Sequence, residues 1–127
     1  MFNHLYIMFF HWVCDFVLQT HWQATNKSKN NYALSLHVFT YSLGMLLPIS
    51  VLYYLECGNI FYSILLGFYF SIISFIVHWI TDYFTSRLNS FLYQKGDIHN
   101  FFVSIGADQF LHYSQLFITF NSLKQLI

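Results

Sequence analysis

The chain has 127 residues, of which 57% are hydrophobic and 23% aromatic, and five Lys plus Arg balance five Asp plus Glu. Only 8% of the residues are charged, against roughly 25% in an ordinary soluble domain. This composition argues against a soluble enzyme and against a disordered chain, because too little charge is available to cover a water-exposed surface. The formal net charge of zero and the lack of a basic run argue against nucleic acid as a partner.

Four apolar stretches are long enough to cross a membrane as helices, which requires about 20 residues each. In chain order they are, to within a few residues at each end, 5–22, 34–55, 59–80 and 101–120. The short connections leave no room for another domain, so residues 1–127 are predicted to form one all-α domain, a polytopic four-transmembrane-helix bundle. No Lys or Arg precedes the first stretch and no small-residue cleavage site follows it, so we expect it to remain as a span.

The orientation follows from the positive charges, because Lys and Arg in short loops stay on the cytoplasmic side. Lys27 and Lys29 lie in the first loop, Arg87 and Lys95 lie in the third, and the opposite side has only Lys124. We therefore expect loops 1 and 3 in the cytoplasm and both termini outside.

The third loop has an amphipathic pattern of its own. Large apolar residues recur at helical spacing from Phe84 to Leu92, and Gly96 ends the run. This pattern predicts a short interfacial helix between spans 3 and 4. The alternative is an extension of the third span.

His and Asp residues are costly inside a bilayer and usually face the bundle interior. Seven lie in the predicted spans: His11, Asp15, His37, His78, Asp82, Asp108 and His112. Six of them form three pairs at spacing i, i+4, which places both members of a pair on one helix face. Counted inward at about 1.5 Å per residue, all seven lie in the cytoplasmic half, so they are predicted to form one site.

Two helix faces agree with this placement. Small residues at helical spacing lead into His78 on the third span: Ser63, Gly67, Ser71 and Ser74. Such a seam lets a neighbouring helix approach closely. Polar residues form a stripe on the fourth span: Ser104, Asp108, His112, Gln115 and Thr119. Both faces are predicted to point into the bundle, although the seam could also mediate a homo-oligomer through span 3.

Three carboxylates in a low-dielectric bundle need neutralisation, and no Lys or Arg lies within any span. Protonation, imidazolium partners or bound cations could each provide it. His nitrogens with carboxylate oxygens are the ligands of a divalent transition metal such as zinc, manganese, iron or nickel. Four His and three Asp suffice for one or two ions with a bridging carboxylate. A metal-free polar network or a proton relay remains the alternative, since a single His/Asp pair is typical of hydrogen bonding between membrane helices.

The chain resembles a family of small integral membrane proteins from bacteriophages and bacteria that is classed as a domain of unknown function. The matching segments are HWVCDFVLQT, HWITDYFTSR and GADQFLH, with His37 and Tyr41 between the first two. The resemblance implies a helical protein of the bacterial inner membrane, and a polar site on these residues: His11, Asp15, Gln19, His37, His78, Asp82, Asp108, Gln109 and His112. A looser likeness links the chain to inner-membrane proteins described as metal-dependent hydrolases.

The first functional hypothesis is therefore a membrane-embedded, metal-dependent hydrolase whose site opens to the cytoplasmic leaflet. The seven His and Asp residues would bind one or two ions or orient the ligands. Asp15, Asp108 and Gln109 are the candidate catalytic groups. Gln19, Arg87 and Lys27 would position the substrate, a phosphoester or a lipid headgroup.

The second hypothesis is a non-enzymatic membrane protein. The same residues would then form a proton or ion relay, or they would stabilise a phage or bacterial factor that interacts with host proteins. The lipid bilayer is the expected partner in both hypotheses. The sequence identifies neither the substrate nor the metal.

Overall fold

The computed structural model describes residues 2–127, and in this part of the chain every regular element is helical. The order is α1 (Phe2–Trp12), a π-helical turn (Val13–Val17), α2 (His21–Asn26), α3 (Asn31–Cys57), α4 (Ile60–Gln94) and α5 (Ile98–Leu126). The all-α class is confirmed. Among the described residues, α3 and α4 are the two helices long and apolar enough to cross a membrane.

The long helices pack side by side in chain order. Helix α3 packs along α4, α4 packs along α5, and α1 contacts both α3 and α5. Large side chains from all four form the apolar core: Ile7, Tyr41, Met45, Ile49, Leu66, Phe70, Leu116 and Phe120. This core fills the bundle on one side of the His/Asp residues.

Tight turns connect the long helices and set their antiparallel order. Gly58 ends α3 with a φ of 68°, and Asn59 begins α4 by accepting hydrogen bonds from the backbone N–H groups of Phe61 and Tyr62. A left-handed residue followed by an Asn cap is the usual chemistry of a helix end and a helix start. Gly96, with a φ of 77°, has the same role before α5.

The small-residue seam of α4 packs against α3 of the same chain. Ser63, Gly67 and Ser74 are buried, and a Cβ atom at Gly67 would collide with Ser50 Oγ and lie 2.9 Å from the Leu46 carbonyl oxygen. Only glycine allows the two backbones to approach this closely. The predicted inward direction of the seam is therefore confirmed.

The first predicted span is not one continuous helix. Helix α1 ends at Trp12, and the π-helical turn follows, with the Leu18 N–H donating to the Val13 carbonyl at 2.9 Å. Thr20 then caps α2 in a reciprocal capping box with Gln23. The cap supplies local hydrogen bonds that a continuing helix would lack, which explains the break within 5–22.

The prediction of a separate interfacial helix after the third span is wrong, and the alternative, an extension of that span, is correct. Helix α4 continues without interruption through Gln94. No Gly or Pro lies between Ile80 and Gln94, and the hydroxyls of Thr81 and Thr85 bond back to carbonyls four residues earlier. The helix therefore continues into the region that the amphipathic pattern had assigned to a new element.

Candidate metal centre

The structure brings six of the seven predicted His and Asp residues together in two groups that share Asp82. The first group contains Asp15, His37, His78 and Asp82. The second contains Asp82, Asp108 and His112. All six side chains are buried. The structure therefore brings together side chains from four helical segments that run in alternating directions.

Local structure explains how each side chain reaches the centre. Asp15 lies in the π-helical turn, a rare kind of turn that is frequently found at functional sites. His37 lies in the second turn of α3, while His78 and Asp82 lie one turn apart on α4. Asp108 projects from the same face of α5 as His112, four residues later.

The His–Asp separations in the first group are close to those between the ligands of a tetrahedral metal site. His37 Nε2 lies 3.0 Å from Asp15 Oδ1 and 3.5 Å from Asp82 Oδ2. His78 Nε2 lies 3.5 Å from each of the same two oxygens. Ligands at about 2.0–2.2 Å from a tetrahedral zinc ion lie about 3.4 Å from one another. The four atoms are thus compatible with an ion of this size.

The second group uses the other oxygen of the shared carboxylate. His112 Nε2 lies 3.0 Å from Asp82 Oδ1 and 3.3 Å from Asp108 Oδ1. Three protein ligands leave a coordination position open, as in catalytic zinc sites, whereas four protein ligands close the site. Because Asp82 directs one oxygen at each group, it could bridge two bound ions.

Polar atoms without hydrogen bonds lie within both groups. His78 is completely buried, and neither of its ring nitrogens has a hydrogen-bond partner. His112 Nδ1 and Asp108 Oδ1 are also buried without a partner. An unmade hydrogen bond of this kind costs about 1–3 kcal/mol. A metal ion would contact His78 Nε2 and Asp108 Oδ1, so the residues present fit the predicted cofactor.

Lys27, which the sequence analysis assigned to substrate positioning, forms an ion pair with Asp82 that the sequence did not predict. Its ammonium lies 2.9 Å from Asp82 Oδ2 and 3.4 Å from His37 Nε2. Burial lowers the pKa of Lys27, but the carboxylates of Asp82 and Asp15 outweigh this effect and raise it above its usual value. One ammonium offsets one of three carboxylates, which leaves two negative charges for the His residues or a cation to compensate.

His11 is buried beside the two groups and belongs to neither. Its Nδ1 lies 2.9 Å from Tyr41 Oη, its Nε2 lies 3.2 Å from Gln109 Oε1, and Asp15 Oδ2 is 3.7 Å away. Hydrogen bonds at both ring nitrogens are typical of a residue that orients ligands. Sequence reasoning gave no role to the Tyr41 hydroxyl, although its position one helical turn after His37 was a usable signal.

A cavity of about 650 Å³ reaches the centre. Asp15 contributes to its wall from the first group and Asp108 from the second, and Gln109 and Gln19 lie beside them. The volume lies within the range of small-molecule sites, about 300–1,000 Å³. The predicted positioning residue Gln19 therefore lies where a ligand would contact it.

Arg87, which was predicted to position the substrate, does not line the cavity. Its guanidinium donates to the Tyr83 carbonyl at 2.8 Å and to Asn31 Oδ1 at 2.7 Å, and it stacks 3.8 Å from the centre of the Tyr83 ring. These contacts join α4 to the start of α3 and keep the guanidinium out of the cavity lining. Asn89 of α4 lines the cavity instead, a residue that sequence reasoning missed because it lay in the supposed interfacial helix.

Comparison with known proteins identifies the family. No curated protein and no solved structure gives a significant match to this chain. One family model matches residues 4–127, which include both His/Asp groups, the cavity and all five helices apart from the first two residues of α1. The chain therefore belongs to the family described as "Protein of unknown function (DUF3307)".

Proposed function

We propose that the protein spans a membrane with α1, α3, α4 and α5. Large apolar side chains on each helix face outward, away from the polar centre: Leu5, Phe9, Leu43, Leu47, Ile64, Phe68, Phe110 and Ile118. Soluble proteins rarely expose apolar surface of this extent, and in a bilayer the same side chains contact lipid. The polar interior and apolar exterior support insertion of the whole bundle, beyond the two helices that meet the length and apolarity requirement.

The proposed orientation places the metal centre towards the cytoplasmic leaflet and both termini outside. Lys27, Lys29, Arg87 and Lys95 lie at the end of the bundle that contains the centre, in agreement with the positive-inside rule. At the other end, Glu56 contacts both Asn3 and Lys124. These contacts join α1, α3 and α5 and support a site that is closed on the outer side.

Within this frame, we propose a metal-dependent hydrolase that acts on a phosphoester. The observation that carries the proposal is the pair of buried His/Asp groups that share Asp82 and reach one cavity through Asp15 and Asp108. A carboxylate-rich site for two divalent ions suits phosphoester hydrolysis, because such ions activate water and stabilise the leaving oxygen. A divalent ion would also compensate the two remaining negative charges.

The residues around the ions have distinct proposed roles. Asp82 and Asp108 would bind the ion of the second, more open group, and Asp108 lines the cavity where a substrate would lie. The Gln109 amide donates to Asp108 Oδ2 at 3.2 Å while its oxygen faces His11, so it orients one ligand and one supporting ring. Gln19 Oε1 is buried without a partner and is available to hydrogen-bond a substrate or water.

One observation favours a second candidate, a metal-free polar network. Lys27 already contacts Asp82, and the shortest His/Asp separations of 3.0 Å are also hydrogen-bond distances. Protonated His residues with Lys27 would then compensate the carboxylates, as in a proton relay or a structural polar core. The closed outer end favours a structural core over a path across the bilayer.

Metal content separates these candidates. Protein purified in detergent without added metal is analysed by plasma mass spectrometry, together with the variants His112→Ala and Asp15→Asn. We expect one or two equivalents of a transition metal in the wild type and fewer in each variant. His99→Ala is the matched control, because His99 is exposed on the first turn of α5 and belongs to neither group. Folded protein that neither contains nor takes up metal would establish the polar network instead.

Activity is tested on the metal-loaded protein. Hydrolysis of soluble and lipid-borne phosphoesters is measured before and after removal of the metal by a chelator. We expect turnover that chelation abolishes and metal restores, and loss of turnover in Asp108→Asn. Metal-bound protein that is inactive on every phosphoester would leave a structural metal site and reject the hydrolase.

A further inference from the structure

Beyond the His/Asp groups, the cavity is lined by polar side chains on one side and by aromatic side chains on the other. Helix α4 contributes polar side chains, including Ser86, Asn89 and Gln94. The π-helical turn and the start of α5 contribute Phe16 and Phe101. A small soluble phosphoester would use the polar part alone, so the apolar part calls for a ligand with a hydrocarbon portion.

The polar part has atoms that lack hydrogen-bond partners. Ser86 Oγ, Asn89 Oδ1 and Gln19 Oε1 are buried without a partner, and all three residues line the cavity. Buried polar atoms in native structures are almost always paired with protein, water or ligand. Three such atoms on residues that line one cavity are therefore available to a ligand with several hydrogen-bonding groups.

Lys29 gives the cavity a free cation near its entrance. Its side chain is exposed and lines the cavity, and among the described residues it makes no salt bridge. An ammonium in this position attracts an anionic group and steers it inward. Lys27 is engaged with Asp82 deeper inside, so Lys29 is the cation available to an arriving phosphate.

We infer that the cavity binds a lipid phosphate, that is, a phosphoester carried on an amphipathic molecule. The phosphate lies between the His/Asp groups and Lys29, an ester carbonyl of the lipid accepts a hydrogen bond from the Asn89 amide, and the start of the hydrocarbon chain packs on Phe16 and Phe101. This inference rests on the proposed function and specifies its substrate class. In the proposed orientation the cavity lies at the level of the cytoplasmic headgroups, where such a lipid arrives directly from the bilayer.

Native mass spectrometry of the full-length, metal-loaded protein in detergent tests the inference. Three probes separate the two parts of the ligand: dioctanoyl phosphatidic acid, dioctanoylglycerol without the phosphate, and glycerol 3-phosphate without the chains. We expect phosphatidic acid to be retained at least about tenfold more tightly than either of the others, because each lacks one set of contacts.

Three variants assign the binding to this cavity. We expect Lys29→Gln and Asn89→Ala each to weaken retention of phosphatidic acid by about tenfold, the usual effect of losing one strong polar contact. Lys95→Gln is the matched control, because Lys95 is also an exposed cation near this end and does not line the cavity. Lys29 is exposed, so its substitution leaves the packed core intact.

The outcomes separate this inference from the proposed function. Equal retention by all three variants would mean that the lipid binds only the outer surface, and it would overturn the inference. Glycerol 3-phosphate bound as tightly as phosphatidic acid would also overturn it, in favour of a soluble phosphoester. Metal content is measured on the same samples: bound metal without lipid retention rejects the lipid substrate alone. Lipid retention without metal rejects the hydrolase and leaves a lipid-phosphate binding site.

Discussion

Replacement of Asp82 by Asn is the most informative change in the metal centre. Asp82 Oδ2 belongs to the first group and Asp82 Oδ1 faces His112 in the second. Asn preserves the shape of the side chain but removes the charge and one acceptor oxygen. We therefore expect Asp82→Asn to weaken both ions, whereas Asp15→Asn weakens only the first and Asp108→Asn only the second.

The magnitude follows from the number of ligands. Structural zinc sites with four ligands bind with about 10–16 kcal/mol, or about 3 kcal/mol per ligand. A loss of this size lowers the affinity by about a hundredfold. Asp82 is shared, so the hundredfold loss applies to both groups in Asp82→Asn and to one group in each of the other two variants.

The assay is metal content after equilibration at a metal concentration that just saturates the wild type. With an ion in each group, the expected result is two equivalents in the wild type, one in Asp15→Asn and in Asp108→Asn, and close to none in Asp82→Asn. Asp97→Asn is the control, since Asp97 caps α5 outside the centre. Circular dichroism and gel filtration confirm that each variant is folded. Undiminished metal in folded Asp82→Asn protein would refute the shared-carboxylate arrangement.

Three further changes test other parts of the structure. Lys27→Gln removes an ammonium that competes with a metal ion for the Asp82 carboxylate, so metal affinity should rise by tenfold or more. Competition with a chromogenic chelator measures the affinity, and an unchanged value would contradict the competition. Gly67→Ala should lower the free energy of unfolding by about 1–3 kcal/mol, because its Cβ would overlap α3. Gly106→Ala, where a Cβ meets open space, should raise the free energy of unfolding by up to about 1 kcal/mol. Tyr41→Phe removes the hydroxyl 2.9 Å from His11 Nδ1 and should lower metal affinity or turnover by about 10–100-fold with little change in stability. Equal metal content and turnover in the variant and the wild type would limit the Tyr41 hydroxyl to packing.

The sequence was sufficient for the features that depend on local periodicity and solvent preference. Apolar stretches of about 20 residues predicted the long helices, because such stretches bury poorly in any other form. The i, i+4 spacing of His78 and Asp82, and of Asp108 and His112, predicted that each pair shares a helix face. Counting along antiparallel helices was enough to predict one common depth, since the helical rise per residue is constant.

Tertiary structure decided the features that depend on contacts between distant segments. Lys27 and Asp82 are 55 residues apart, and only the folding of the first loop over the bundle brings that ammonium to the carboxylate. The division into two groups depends on which oxygen of Asp82 faces each neighbour, a matter of side-chain angle that residue spacing does not encode. The cavity lies between the π-helical turn, α2 with the loop that follows it, α4 and α5, and the π-helical turn packs against α3. Residue spacing along the chain does not encode such contacts, because they join segments that are distant in the sequence.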